Sequence, residues 1–261
     1  MHKSFSKYFQ DPQNGLPLKL EITKELNGNV IDGRFWNEIH SYPIIDGIPR
    51  FVTKSNYSSS FGFQWGKWPL IQFESKNVGK PMEGHSRKMF NVITQNKLKE
   101  IKNDSLILDC GCGAGRFIEL CTENSNVKII GIDYSSFFKI AKSNFSHNSN
   151  VCIVNADALQ LPFKPNIFDG EFSIGVLHHT PEPKKGVSEV YRCLKNGGWF
   201  GLSVYSKGSY YEKQILKKYR RIFNFWKPVF FHYPPLLYSY IAIYLIKPLY
   251  KRIRFIRSNI E

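Results

Sequence analysis

The chain has 261 residues, 42% of them apolar and 22% charged, which is enough to bury a sizeable core and excludes global disorder. Five Trp, 14 Tyr and 21 Phe, with 19 glycines in no period, exclude collagen-like and coiled-coil fibres. The net charge of +15 points toward nucleic acid or an anionic membrane, but ten of those fifteen charges lie in residues 207–261, where twelve Lys and Arg face only Glu212 and Glu261.

The first ten residues carry Lys3 and Lys7 but no apolar core of a signal peptide. No apolar run reaches the roughly 18 residues that span a bilayer. Five cysteines, three of them crowded at Cys110, Cys112 and Cys121, do not resemble a secreted disulfide framework. The expectation is a cytoplasmic protein with reduced thiols.

Residues 1–55 are broken by Gly15, Pro17, Gly28, Gly33, Pro43, Gly47 and Pro49, and predict short strands and turns. Residues 56–104 read as a linker and leading helix. Phe61-Gly62-Phe63-Gln64-Trp65 lies in the linker, with Trp65 and Trp68 as packing anchors. Met82, Met89, Phe90, Ile93, Leu98 and Ile101 fall at helical intervals over 81–101.

From Ser105 to residue 204 short apolar runs alternate with helical segments. Strands are predicted over 106–108, 127–132, 151–154, 168–177 and 199–204, and helices over 116–122, 135–145 and 186–194. Ser135 or Ser136 is the expected N-cap of the second of these helices. Fully apolar strands alternating with helices imply a Rossmann-like parallel sheet with helices on both faces. Residues 205–261 predict a helical, basic, aromatic extension. It suits a solvated lid, then a membrane-surface element, and least of all an RNA-binding one.

The informative turn is Asp109-Cys110-Gly111-Cys112-Gly113-Ala114-Gly115-Arg116. A glycine-rich turn between strand and helix lets backbone approach a ligand closely. The glycines do not follow G-x-G-x-x-G, and an acid just before them suits a cation better than a phosphate. Asp133 and Asp157 close the next two strands, each 24 residues further on. A carboxylate at the second strand end can accept ribose hydroxyls, and one at the third can accept an exocyclic amine. Cys110 and Cys112 read as small buried fillers, and Cys121, Cys152 and Cys193 as core.

With these residues in view, 105–204 resembles a class I S-adenosylmethionine-dependent methyltransferase of type 11. The matching pieces are Leu108 to Gly115, Gly131-Ile132-Asp133, Asn155-Ala156-Asp157-Ala158, Phe168-Asp169, Val176-Leu177-His178-His179-Thr180-Pro181, and Glu189 to Gly198. The resemblance implies S-adenosyl-L-methionine as cofactor. Its amino group would meet Asp109, its methionine part Gly111, Cys112 and Gly113, its ribose Asp133 and Tyr134, and its adenine Asp157 and Ala158. Ser173 would offer backbone to the tail. His178 and His179, beside where the methyl should lie, are the catalytic candidates: a neutral imidazole can take an acceptor proton, or one of them shapes the strand end by hydrogen bonding while the other is solvated.

Tyr42-Pro43-Ile44-Ile45-Asp46-Gly47-Ile48-Pro49-Arg50-Phe51 resembles the end of a Trm112-like zinc-ribbon module. Ser60 to Trp65 resembles the linker of methyltransferases associated with cell-surface polysaccharide synthesis. Residues 1–55 contain no cysteine, and His2 and His40 alone cannot complete a zinc site, so no metal is expected and packing must hold the module. The family's last two strands have no clear counterpart after Tyr205. The implied acceptor is a small molecule or a glycan-related compound, with peripheral membrane contact through the tail. RNA methylation is disfavoured, because Gly175-Val176-Leu177-His178 is not the Asn/Asp-Pro-Pro-aromatic type. The remaining alternatives are a catalytically silent cofactor-binding module and, against the glycine spacing, a nicotinamide-dependent dehydrogenase.

Overall fold

The computed structural model describes residues 1–52, 70, 72–123, 126–135 and 137–205. The linker motif at 60–65, Trp65, Trp68 and the predicted helical extension lie outside the described residues. Met1–Val204 form one compact unit, and Tyr205 is the sole described residue of a second.

The unit holds two sheets. The first is antiparallel, with strands β1 (Lys19–Leu26), β2 (Asn29–Trp36), β3 (Ser41–Ile45) and β4 (Ile48–Pro49) in sequence order, preceded by a 3-10 helix over Lys3–Tyr8. The second is parallel, with strands β5 (Leu106–Cys110), β6 (Lys128–Asp133), β7 (Val151–Asn155), β8 (Phe168–Ile174) and β9 (Leu194–Ser203), in the spatial order β7-β6-β5-β8-β9. This is the Rossmann-like α/β class.

Alternation along the central strands explains the layering, since successive side chains of a strand point to opposite faces. Ile107, Ile129, Ile153 and Phe172 face one layer, which contains helices α1 (His85–Ile93), α2 (Arg116–Thr122) and α3 (Phe138–Asn144). Leu106, Leu108, Ile130, Ile132 and Val154 face the other, where α4 (Pro183–Cys193) shares the cover with the antiparallel sheet. Phe5, Phe9, Phe35 and Tyr42 are buried in that same core, and the Phe9 ring lies 5.3 Å from Phe163. Burying each such ring contributes on the order of 2 kcal/mol.

Packing is not all that holds the antiparallel sheet. Asp11, fully buried, accepts hydrogen bonds from Tyr42 Oη (2.8 Å), Asn37 Nδ2 (2.8 Å), His40 Nδ1 (2.7 Å) and the Gln13 N–H (2.9 Å). Burial alone would raise its pKa, but these donors outweigh it and hold the carboxyl down at about 2.

Several boundaries differ from the sequence expectation. The helix expected over 81–101 is cut to α1, followed by a separate 3-10 turn at Lys97–Lys99. Glu74 fixes its start by accepting from the N–H groups of Gly84 and Arg87, both at 2.9 Å. Left-handed residues Gln95 and Asn96 end it. The N-cap position of α3 is Phe137, whose N–H donates to the Ser135 hydroxyl at 3.4 Å while that hydroxyl donates to Asp133; Ser136 lies outside the described residues. β8 stops at Ile174, where Gly175 turns left-handed at φ 77°.

Candidate functional site

β5, β6 and β7 are neighbours, so their carboxyl ends bring three acids to one rim. In register, Asp109 stands opposite Gly131, and Asp133 opposite Asn155. Asp133 therefore lies two residues beyond the level of Asp109, about 8 Å away by strand spacing, and Asp157 follows two residues past the end of β7.

The glycine turn is tied to β6 by two N–H groups, Gly111 (2.9 Å) and Cys112 (2.8 Å), both donating to the Ile132 carbonyl. Gly111 sits at φ 93°, and a Cβ there would come within 2.4 Å of Val176. No side chain fits, so the turn approaches the segment that leads to the histidines. Gly113, at φ 54°, has nothing within 4 Å of its missing Cβ among the described residues, so the turn is open there.

Asp109 is 2% exposed, and its Oδ2 is buried with no hydrogen-bond partner among the described residues. Burial pushes its pKa well above the usual carboxylate range, and the charge of Asp133 adds to this, while Arg116 pulls the other way. A buried carboxyl oxygen left unsatisfied in this way calls for a partner that the described residues do not supply. Asp133 is raised by burial too, but it is held by three donors: the Gly113 N–H on Oδ2 (2.9 Å), and the Ser135 N–H (2.8 Å) and hydroxyl (2.5 Å) on Oδ1. Asp157 accepts from the Leu159 N–H at 2.9 Å, and Ala158 beside it is buried.

The other sequence candidates flank this rim. Ser173 donates its hydroxyl to the Cys110 carbonyl at 2.9 Å, so its side chain ties β8 to β5. Cys112 is buried, and burial first, then Asp109 and Asp133, push its thiol well up, which makes it a poor nucleophile. Tyr134 is half-buried. His178 and His179 occupy the 3-10 turn Leu177–His179 after β8, with ring centroids 4.0 Å apart. Burial lowers both pKa values, and for His178 the neighbouring His179 lowers it further, which favours the neutral form of each ring.

Sequence reasoning missed three contributors. Asn155 donates its amide to the carbonyls of Asp133 (3.0 Å) and Tyr134 (3.2 Å), fixing the second acid's loop. Ser135 holds the Asp133 carboxylate. Arg116, first residue of α2, is the cation acting on Asp109; its place directly after the glycine turn was the available signal.

Residues 108–202 match the family model described as "Methyltransferase domain", a domain whose cofactor is S-adenosyl-L-methionine. Among curated proteins, the chain is 35% identical over 123 residues to a "Probable tRNA methyltransferase 9B" of Homo sapiens, covering 45% of this chain and 26% of that protein. It is 28% identical over 159 residues to "24-methylenesterol C-methyltransferase 2" of Arabidopsis thaliana, covering 59% and 43%. Among solved structures, phosphoethanolamine N-methyltransferase 2 of Haemonchus contortus, in complex with S-adenosyl-L-methionine, superposes with a TM-score of 0.51 at 22% identity, covering 69% of this chain and 41% of that one. This last likeness is one of fold. The chain spans between about a quarter and a half of the length of the curated relatives it matches.

Proposed function

We propose that this protein is an S-adenosyl-L-methionine-dependent methyltransferase acting on a small-molecule or glycan-related acceptor. The observation that carries the reading is the buried Asp109 side chain, whose Oδ2 is unsatisfied by any described residue, set beside a turn that opens at Gly113. When bound, the cofactor supplies a methyl group already activated on a sulfonium.

The chain's own residues then bind and orient. Asp109 pairs with the ammonium of the amino-acid tail, which replaces the missing counter-charge. Asp133 keeps its donors from Gly113 and Ser135 and accepts ribose hydroxyls on its remaining lone pairs. Asp157 accepts the adenine amine, with Ala158 packed against the base. Backbone at Ser173 lines the tail, since its hydroxyl is committed to Cys110. Alignment of acceptor and methyl is the larger part of such catalysis. A hydroxyl or acid acceptor also loses a proton, and the His178–His179 pair, whose lowered pKa values favour neutral imidazoles, takes it.

The relatives' names span a sterol and a tRNA acceptor, so they do not choose between acceptors. The Gly175-Val176-Leu177-His178 segment supports a small acceptor over a flipped base. The test uses methyl-labelled cofactor with lipid, glycan-precursor and tRNA fractions. Label entering the glycan-precursor or another small-molecule fraction, and falling at least tenfold with His178→Gln or His179→Gln, supports the reading. Label entering tRNA alone overturns the acceptor assignment.

A further inference from the structure

The residue after β4 reaches the candidate site from the antiparallel sheet. Arg50 bridges Asn155 in parallel, and the Phe51 N–H donates to the Asn155 carbonyl at 2.8 Å. Asn155 is in register with Asp133. Asp133, Asn155 and Arg50 thus stand at one level across three adjacent segments, at the carboxyl rim of the parallel sheet. The Arg50 guanidinium carbon lies 5.8 Å from the ring centroid of Phe138, four residues beyond Tyr134. Its Nε is buried with no hydrogen-bond partner, and no carboxylate forms an ion pair with it, among the described residues.

An arginine is a pure donor, with five N–H groups and no acceptor. Leaving one of them buried and unbonded is costly, so the group calls for an acceptor that the described chain does not supply. An adenosine carries such acceptors, on its ring nitrogens and its sugar oxygens. We propose that Arg50 is a cofactor-binding residue: its guanidinium donates to an acceptor on the adenosine half of the cofactor and closes that end of the site. The inference rests on the cofactor reading above and makes the antiparallel sheet a working wall of the site rather than packing alone.

The test is calorimetric titration of the full chain with S-adenosylhomocysteine and with adenosine, beside urea unfolding without ligand. Arg50→Met keeps an apolar stem against Phe138 and removes every donor. It is expected to weaken both ligands about tenfold, one charged hydrogen bond's worth, with an unchanged urea midpoint. Arg50→Lys is expected to recover part of the affinity. If Arg50→Met binds both ligands like wild type while Asp133→Ala does not, Arg50 is structural and only this inference falls. If stability and affinity drop together in both Arg50 variants, the inference falls as well. Should wild type bind no S-adenosylhomocysteine, the cofactor reading fails first, and the role of Arg50 with it.

Discussion

Asp109 and Glu171 are buried carboxyls on adjacent strands, and their surroundings give them opposite meanings. Asp109 sits at a strand end beside an open turn, with Arg116 opposing its desolvation. Pairing it with an ammonium ionises it, so binding releases a proton. Affinity for S-adenosylhomocysteine should therefore rise with pH through the range in which Asp109 titrates, and heats measured in buffers of different ionisation enthalpy should report the proton. Asp109→Asn should abolish that dependence and weaken binding at least tenfold. Glu171 is fully buried in the middle of β8, and neither carboxyl oxygen has a partner among the described residues. Burial pushes it up to about 9, with Arg192 pulling back. The folded state keeps this proton while the unfolded chain loses it above about pH 4.5. Stability is therefore full below that point and declines as pH rises toward 9. Glu171→Gln should flatten the decline, with the difference in urea stability between pH 5 and pH 8.5 shrinking by about 2 kcal/mol or more. An unchanged pH profile would show that Glu171 is already ionised. Nothing in Asp169-Gly170-Glu171-Phe172 separated a buried acid from an exposed one, whereas the even spacing of Asp109, Asp133 and Asp157 was visible at once.

At the scale of elements, the glycine turn and the strand ends were legible because each carries local chemistry. The antiparallel sheet was legible only as short strands and turns. The clamp at Asp11 joins residues 26 to 31 positions apart through side chains of four types, and no local pattern announces it. It supplies what packing alone was expected to supply. Asp11→Ala leaves Tyr42, Asn37 and His40 facing a void and should cost about 3 kcal/mol in urea unfolding. Asp11→Asn keeps two acceptor lone pairs and should cost less. Equal stability of Asp11→Ala and wild type would show that packing suffices. The serine cap expected for α3 is shared for a related reason: the Ser135 hydroxyl bonds the Asp133 carboxylate while accepting from the Phe137 N–H at 3.4 Å.

For the whole molecule, strand–helix alternation with wholly apolar strands disclosed the α/β class. The joining of the two sheets through one core was not disclosed, since Phe9 and Phe163 meet across 154 residues of chain. Charge is a property of the whole chain too. With ten of fifteen net positive charges in 207–261, the full chain should sediment with vesicles containing anionic lipid and be released by 0.5 M salt, at which screening falls to about 4 Å. Replacing Lys251, Arg252 and Arg254 by Glu should reduce sedimentation severalfold. Binding to uncharged vesicles to the same extent would contradict an electrostatic membrane contact.

The most direct test of the central claim is titration of the full chain with S-adenosylhomocysteine and, separately, with NAD. One equivalent of S-adenosylhomocysteine should bind, NAD should not, and Asp133→Ala should weaken binding by about a hundredfold. Preference for NAD, or an affinity for S-adenosylhomocysteine indifferent to both Asp109→Asn and Asp133→Ala, would contradict the account.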